Sequence, residues 1–167
     1  MSSENSRPGA KRTAGLRAAL AGHPFCAEMK PGHLDALADN AMLTQFGQGE
    51  LIFREGDPAN RFYLIRSGSV SLESAPGHEP VQVQVIGAGD VLGWSWLFPP
   101  YYWHFEARAL EPVDAIFLYG TRLRELSEQD HELGYELLKR ISRIVVQRLQ
   151  STRRNLVKMH RPDAAEN

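Results

Sequence analysis

The sequence has little of what marks secreted, membrane-spanning or metal-binding proteins. It contains one cysteine, Cys26, so no disulfide can form within the chain, and we expect a reducing compartment, the cytoplasm. No apolar run reaches the length that crosses a bilayer, and the N-terminal stretch MSSENSRPGAKR lacks the apolar core of a secretory signal. The six histidines include no pair at HxxxH spacing, and Cys26 has no CxxC partner, so no zinc or iron–sulfur site is predicted.

Motifs of catalysis are missing as well. The sequence contains no P-loop, no paired-carboxylate arrangement and no nucleophile motif. Ser95 in GWSWL has a superficial likeness to a nucleophile elbow, but the second glycine of GxSxG is absent. The sequence therefore predicts a binding protein and not an enzyme.

Net charge is close to zero but unevenly distributed. The formal total is −1, and residues 139–161 hold eight Lys or Arg and no Asp or Glu, so the remainder carries −9. A basic end on an acidic body indicates either a helix that lies against its own domain or contact with nucleic acid or another acidic partner. The first interpretation is the simpler one.

The order of apolar patterns predicts one domain, at 13–160, with helices at both ends of a β body. Residues 1–12 are rich in Ser, Arg and Pro and are expected to form a disordered tail, and 161–167 a flexible one. The N-terminal helices are expected in AGLRAALAGHPF and KPGHLDALADNAML. The predicted segments of the domain follow one another: helices at about 13–41, a β-roll at about 44–119 and helices at about 121–160.

The middle of the chain has the period and punctuation of antiparallel strands. Short runs rich in β-branched and aromatic residues are separated by clusters such as EGDPAN, RSGS and GAGD. In PVQVQVI, Val81, Val83 and Val85 are expected on one face and Gln82 and Gln84 on the other. No helical segment separates the runs, so the pattern indicates an antiparallel sandwich or barrel and argues against a parallel sheet.

The last long segment predicts a helix with two apolar stripes. One stripe alternates spacings of three and four, which is a heptad seam. Its members are Tyr135, Leu138, Ser142, Val145, Leu149, Thr152, Leu156 and Met159. The second stripe comprises Leu133, Leu137, Ile141 and Ile144. One stripe can pack on the β body while the seam meets a second copy of the helix, so we expect a parallel homodimer. The alternative is a helix folded back on its own domain.

These patterns resemble the cyclic-nucleotide-binding domain, the sensor half of CRP/FNR-like bacterial regulators. GELIFREGDPANRFYLIRSGSV (49–70) is similar to the family's first hairpin, and GAGDVLGWSWLF (87–98) to the strand that leads into its phosphate-binding cassette. RLQSTRRNL (148–156) is similar to the family's dimer helix. The resemblance implies a mainly β fold with flanking helices. Its body is an antiparallel β-roll or jelly roll (a double-stranded β-helix), followed by a long C-terminal dimerisation helix.

In the regulators that the sequence resembles, a helix-turn-helix module follows the dimer helix, and this sequence is predicted to be a stand-alone member without it. Only RPDAAEN follows His160, and seven residues cannot form a DNA-reading unit, so no sequence-specific DNA binding is expected. A regulatory domain that acts through a small ligand or a protein partner is the expected role.

The phosphate-binding cassette differs from the family pattern. The resemblance implies that a glutamate after the turn glycine binds the ribose hydroxyl and that an arginine further on pairs with the phosphate. Here the turn glycine is Gly93, the glutamate position is Trp94, and the arginine position is Trp103, or His104 with a one-residue slip. A buried phosphate without its arginine loses about 3–5 kcal/mol, so binding of cAMP or cGMP in the ordinary way is disfavoured.

The last helix retains one of the family's polar contacts. Thr152 matches the position whose hydroxyl meets the base, and Arg153 stands where the family has serine. The candidate ligand pocket therefore comprises Gly93, Trp94, Ser95, Trp96, Leu97, Trp103, His104, Thr152 and Arg153.

Three interpretations of this aromatic pocket remain open: an altered small ligand, rings that plug the pocket, or a surface for a protein partner. A cyclic nucleotide held by non-standard residues is a further alternative. His104 could serve as an axial haem ligand, but a single histidine beside rings is weak evidence, so no cofactor is predicted.

Overall fold

Eight strands form two antiparallel sheets, flanked by helices, in the computed structural model of the protein, which describes residues 8–74 and 79–160. The helices, with η for a 3-10 helix, are α1 (Pro8–Ala21), η1 (Pro24–Cys26), α2 (Pro31–Ala38), η2 (Trp94–Leu97), α3 (Gly120–Gln129) and α4 (His131–Met159). The strands are β1 (Ala41–Phe46), β2 (Leu51–Phe53), β3 (Arg61–Ser67), β4 (Ser69–Ser74), β5 (Val81–Gly87), β6 (Val91–Leu92), β7 (Glu106–Ala109) and β8 (Val113–Tyr119).

The two sheets have the strand orders β1-β8-β3-β6 and β2-β7-β4-β5. Neighbours in each sheet pair antiparallel, and most are distant in sequence, as Phe62 of β3 opposite Leu118 of β8 illustrates. Gly68 turns β3 into β4 with φ of +86°, and a Cβ there would lie 2.9 Å from Cγ2 of Val113. Only glycine fits this turn without strain. The predicted antiparallel β-roll with a long C-terminal helix is confirmed.

Two apolar clusters hold the fold together. The first lies where the helices pack on the sheet of β1, β8, β3 and β6, and includes Leu20, Leu37, Phe62, Trp96 and Ile141. The second fills the space between the two sheets and includes Phe53, Tyr63, Leu72, Trp103 and Val113. The first cluster takes residues from both ends of the chain, so the helices and the roll stabilise one another, whereas the second is built from the roll alone.

Two predicted boundaries are wrong. Helix α1 starts at Pro8, so the last part of the predicted disordered tail is helical; proline is readily accommodated in the first turn of a helix. Residues 1–7 and 161–167, the remainder of the predicted tails, lie outside the described residues. The second predicted helix ends at Ala38, because from Ala41 the backbone pairs with β8, and the β-roll therefore begins at residue 41 and not at 44.

The valines of β5 lie on the outside of the molecule. Val81, Val83 and Val85 are each about half exposed, at 56, 48 and 45%, and Ile86 is buried. A register shift between Leu72 and Glu73 of the neighbouring β4 interrupts the strict alternation. Strand β5 lies at the edge of its sheet, and these three valines give it an apolar surface that faces solvent.

The two stripes of α4 face in different directions. Leu133, Leu137 and Ile141 are buried against the domain, and Ile144 packs on the same cluster. The predicted seam faces solvent over most of its length, and Leu149 at its middle is 68% exposed. The helix therefore lies on its own domain through one stripe and leaves the other available.

Candidate functional site

The cassette begins where β6 ends, at Gly93. This residue adopts φ of 90° and ψ of 42°, the left-handed region that glycine enters without a Cβ clash, and η2 follows directly. A Cβ at Gly93 would lie 2.8 Å from Cη2 of Trp103 and 2.9 Å from the carbonyl oxygen of Arg61. Gly93 therefore permits both the turn and the close approach of the Trp103 ring.

Trp103, at the family's arginine position, is a core residue. Its side chain is only 4% exposed, and its ring stacks on Phe53 with centroids 4.0 Å apart and planes 13° apart. The backbone of Trp103 is tied to the β2–β3 connection: its N–H donates to the carbonyl of Asp57 (2.9 Å), and its carbonyl accepts from the N–H of Gly56 (2.9 Å). An indole ring thus lies inside the roll where the resemblance implies a cationic side chain.

The other two tryptophans lie apart from Trp103. Trp96 is fully buried in the first cluster and packs edge-on against Phe62 at 5.9 Å; the Nε1–H has no acceptor among the described residues. The carbonyl of Trp96 accepts a hydrogen bond from Arg124 at 2.6 Å. Trp94, at the glutamate position, is half-buried, and the Arg148 guanidinium lies 4.3 Å from the centroid of its ring. The three rings therefore do not line a common cavity wall.

Arg148 of α4 is a functional candidate that sequence reasoning missed. It stacks on Trp94, and its Nη2 donates to the carbonyl of Val91. Its Nη1 is buried and has no acceptor among the described residues. Burial lowers the pKa of Arg148 to about 10, an effect that the Asp90 carboxylate opposes. The available signal was its position one helical turn before Thr152, on the side of α4 that faces the roll.

The remaining predicted pocket residues are dispersed. Thr152, Arg153 and His104 are exposed, whereas Ser95 is buried and Leu97 packs on the first cluster. The structure brings Gly93 and Trp103 into contact and leaves the matched turn of α4 open to solvent. An exposed His104 does not have the enclosed apolar surroundings that a haem site requires.

A cavity of about 260 Å³ borders the side chain of Trp103. It is lined by residues of β2, β3 and the loop between them, and by Trp103: Ile52, Phe53, Asp57, Pro58, Asn60, Arg61, Tyr63 and Trp103. Trp103 forms a wall of this cavity, and the other side of its ring lies close to Gly93.

The described residues contain neither a metal-binding cluster of side chains nor a helix suited to cross a membrane. Over 8–74 and 79–160, no group of three or more His, Cys, Asp or Glu side chains is placed to hold a metal ion. Within the same ranges, no helix has both the length and the apolar character needed to cross a membrane.

The sequence matches a known family and known regulators. Residues 43–130 match the family described as the cyclic nucleotide-binding domain. The chain is 28% identical over 129 residues to the CRP-like cAMP-activated global transcriptional regulator of Mycobacterium tuberculosis, a match that covers 77% of this chain and 56% of the regulator. It is 31% identical over 99 residues to the transcriptional activator protein anr of Pseudomonas aeruginosa, covering 58% of this chain and 39% of that protein. The chain thus spans little more than half the length, or less, of these curated relatives.

Solved structures with a similar fold are also described as cyclic nucleotide-binding proteins or domains. A putative cyclic nucleotide-binding protein from Geobacter metallireducens GS-15 is 30% identical, with a TM-score of 0.71, over 82% of this chain and 97% of that chain. A cyclic nucleotide-binding domain from Methylobacillus flagellatus has a TM-score of 0.73 over 94% of this chain and 86% of that chain. At 17% identity the second likeness shows the fold alone.

Proposed function

The chain belongs to the cyclic nucleotide-binding domain family, and from this premise we propose that it is a regulatory module whose nucleotide pocket is filled by Trp103. The observation that carries the proposal is the buried stack of Trp103 on Phe53, with the ring against Gly93. These atoms lie where the resemblance implies that the arginine and the nucleotide phosphate meet. The module is proposed to act without enzymatic chemistry and without haem.

Two costs oppose a cyclic nucleotide at this site. The Trp103 ring would have to leave the core, and removing a buried tryptophan from a core costs about 3–5 kcal/mol. The phosphate would then lack its arginine, which costs about 3–5 kcal/mol more. Together these costs reduce affinity by about four to seven orders of magnitude. Binding of cAMP or cGMP through non-standard residues is the alternative that the titration below tests.

We propose that two copies associate through the seam of α4. A helix of 29 residues is about 44 Å long, and the seam runs along most of it. Leu138, Leu149, Leu156 and Met159 are exposed apolar side chains on that seam. A second copy is the natural occupant, because the heptad spacing matches that of a parallel coiled coil. Signal output is proposed to pass through a protein partner that binds one arrangement of the two helices better than another.

Calorimetric titration tests the filled pocket. Wild-type protein is titrated with cAMP and cGMP, and a CRP-like cAMP-activated regulator serves as the positive control for the nucleotide. We expect no saturable heat in the micromolar range for this protein. A micromolar Kd for either nucleotide would contradict the proposal.

Sedimentation velocity tests the dimer with a matched pair of variants. Leu149→Asp places a charge in the seam, and Gln150→Asp places the same charge on an exposed neighbour outside it. We expect Leu149→Asp to sediment as a monomer, because a desolvated carboxylate in an apolar seam is costly. Gln150→Asp is expected to remain a dimer. A dimer that survives Leu149→Asp, or a wild-type monomer, would exclude the seam as the interface.

A further inference from the structure

A groove of about 370 Å³ lies between α4 and the turn that joins β5 to β6. Its α4 wall is formed by Arg140, Arg143, Ile144, Gln147 and Arg148. The opposite wall and the floor are formed by Gln84, Val85, Ile86, Gly89, Asp90, Pro24 and Phe25. Its volume falls in the range of sites for small ligands, about 300–1,000 Å³.

The groove is distinct from both the cassette and the dimer seam. At 100° per residue, Arg140, Arg143 and Gln147 lie on the flank of α4 opposite to that of Leu138 and Leu149. The groove therefore stays open when two copies meet through the seam. A ligand there requires neither displacement of Trp103 nor the dimer.

Charge in the groove is unbalanced. Three arginines line it and a single carboxylate, Asp90, faces them. The carboxylate of Asp90 already accepts a hydrogen bond from the N–H of Gly87 at 2.9 Å, within its own turn. The groove thus carries a net positive charge, which concentrates anions.

The three arginines differ in how they are engaged. Arg140 is held in place: its Nη1 donates to the carbonyls of Phe25 (2.6 Å) and Ala27 (2.9 Å), and its Nε lies 3.4 Å from a Glu136 oxygen. Arg143 makes no ion pair within the described ranges 8–74 and 79–160.

Arg148 completes the cationic wall. Its Nη1 is buried and without an acceptor in the described part of the chain, although Trp94 and the Val91 carbonyl fix the rest of the guanidinium. A buried charged donor without an acceptor is unfavourable, and a ligand oxygen would satisfy it. The lowered pKa of this arginine has the same origin, the loss of water around its charge.

We propose that this groove binds a small phosphate-bearing ligand, with the phosphate oxygens between Arg143 and Arg148. The apolar side chains of Phe25, Val85 and Ile144 then contact the non-phosphate part of the ligand. Guanidinium groups bind phosphate through paired, charge-assisted hydrogen bonds, and two of the three arginines here have donors to spare. Since Arg148 also contacts Trp94, this arginine links such a ligand to the cassette without placing the ligand in it.

The test uses inorganic phosphate and phenyl phosphate, titrated into ¹⁵N-labelled wild-type protein at constant ionic strength. We expect saturable shifts of the Val85, Gly89 and Gln147 amides with both probes. Tighter binding of phenyl phosphate identifies an organic phosphate as the ligand class, and equal binding identifies free phosphate. Absence of saturation at millimolar concentration, or shifts confined to exposed basic residues outside the groove, would overturn the proposal.

Matched variants separate a built site from diffuse attraction. Arg143→Gln and Arg154→Gln remove the same charge from exposed positions on α4, the first in the groove and the second outside it. We expect Arg143→Gln to weaken phosphate binding about tenfold and Arg154→Gln to leave it within about twofold. Equal losses in the two variants would contradict the proposal. Binding of cAMP in the cassette would instead shift the amide signals of Gly93 and Trp103, so the phosphate groove and the filled pocket are tested separately.

Discussion

Replacing Trp103 by alanine probes the residue on which the proposed function depends. The substitution deletes a ring that is 4% exposed and stacked on Phe53 at 4.0 Å. Removing a fully buried tryptophan costs about 3–5 kcal/mol of unfolding free energy, within which the aromatic pair accounts for about 0.5–1.5 kcal/mol. For a chain of this size such a loss lowers the melting temperature by about 6–20 °C.

The assay is equilibrium urea unfolding followed by circular dichroism, with Tyr102→Ala as the control. Tyr102 adjoins Trp103 in the same loop but is 48% exposed, so its loss is expected to change the unfolding free energy by less than about 0.5 kcal/mol. The Trp103→Ala variant also leaves an apolar cavity, and added indole is expected to raise its urea midpoint by filling it. A cost below about 1 kcal/mol for Trp103→Ala would refute the assignment of this ring to the core.

Two further predictions concern the burial of His23 and the turn at Gly93. His23 is buried with both ring nitrogens in hydrogen bonds to the backbone, and burial lowers its pKa below 6.5. The native state then binds fewer protons than the unfolded state, so the free energy of unfolding should fall as the pH drops below about 6.5. It should fall less in His23→Gln. Equal pH slopes for the two proteins in urea melts would count against this prediction. Gly93→Ala should lower the free energy of unfolding by about 1–3 kcal/mol or more, because φ is +90° and the new Cβ lies 2.8 Å from the Trp103 ring. In the control Gly87→Ala the new Cβ makes only ordinary contacts. Similar losses in the two variants would contradict the turn geometry.

Much of the fold could be predicted because its determinants are local. Glycine turns such as Gly68 and the two stripes of α4 follow from backbone sterics and helical period, and the structure has both. The end of α2 could not be read in the same way. Ala41 continues a helical apolar pattern in the sequence, yet it pairs with Leu118 across the sheet, and only the distant strand supplies that pairing.

The site was less predictable because it depends on where large side chains go. Resemblance identified the positions of Trp94 and Trp103, but spacing alone does not show that one ring enters the core while the other lies under Arg148. The valines of β5 illustrate the same limit: Val83 lies on an exposed edge although its alternating pattern is typical of a half-buried strand. Three-dimensional packing, and not periodicity, decides such cases.

The most direct test of the filled pocket is a crystal structure of the protein grown in millimolar cAMP. The account predicts that the Trp103 ring remains stacked on Phe53 and in contact with Gly93, with no nucleotide between η2 and the roll. A nucleotide phosphate bound against η2, with the Trp103 ring displaced from the core, would contradict it.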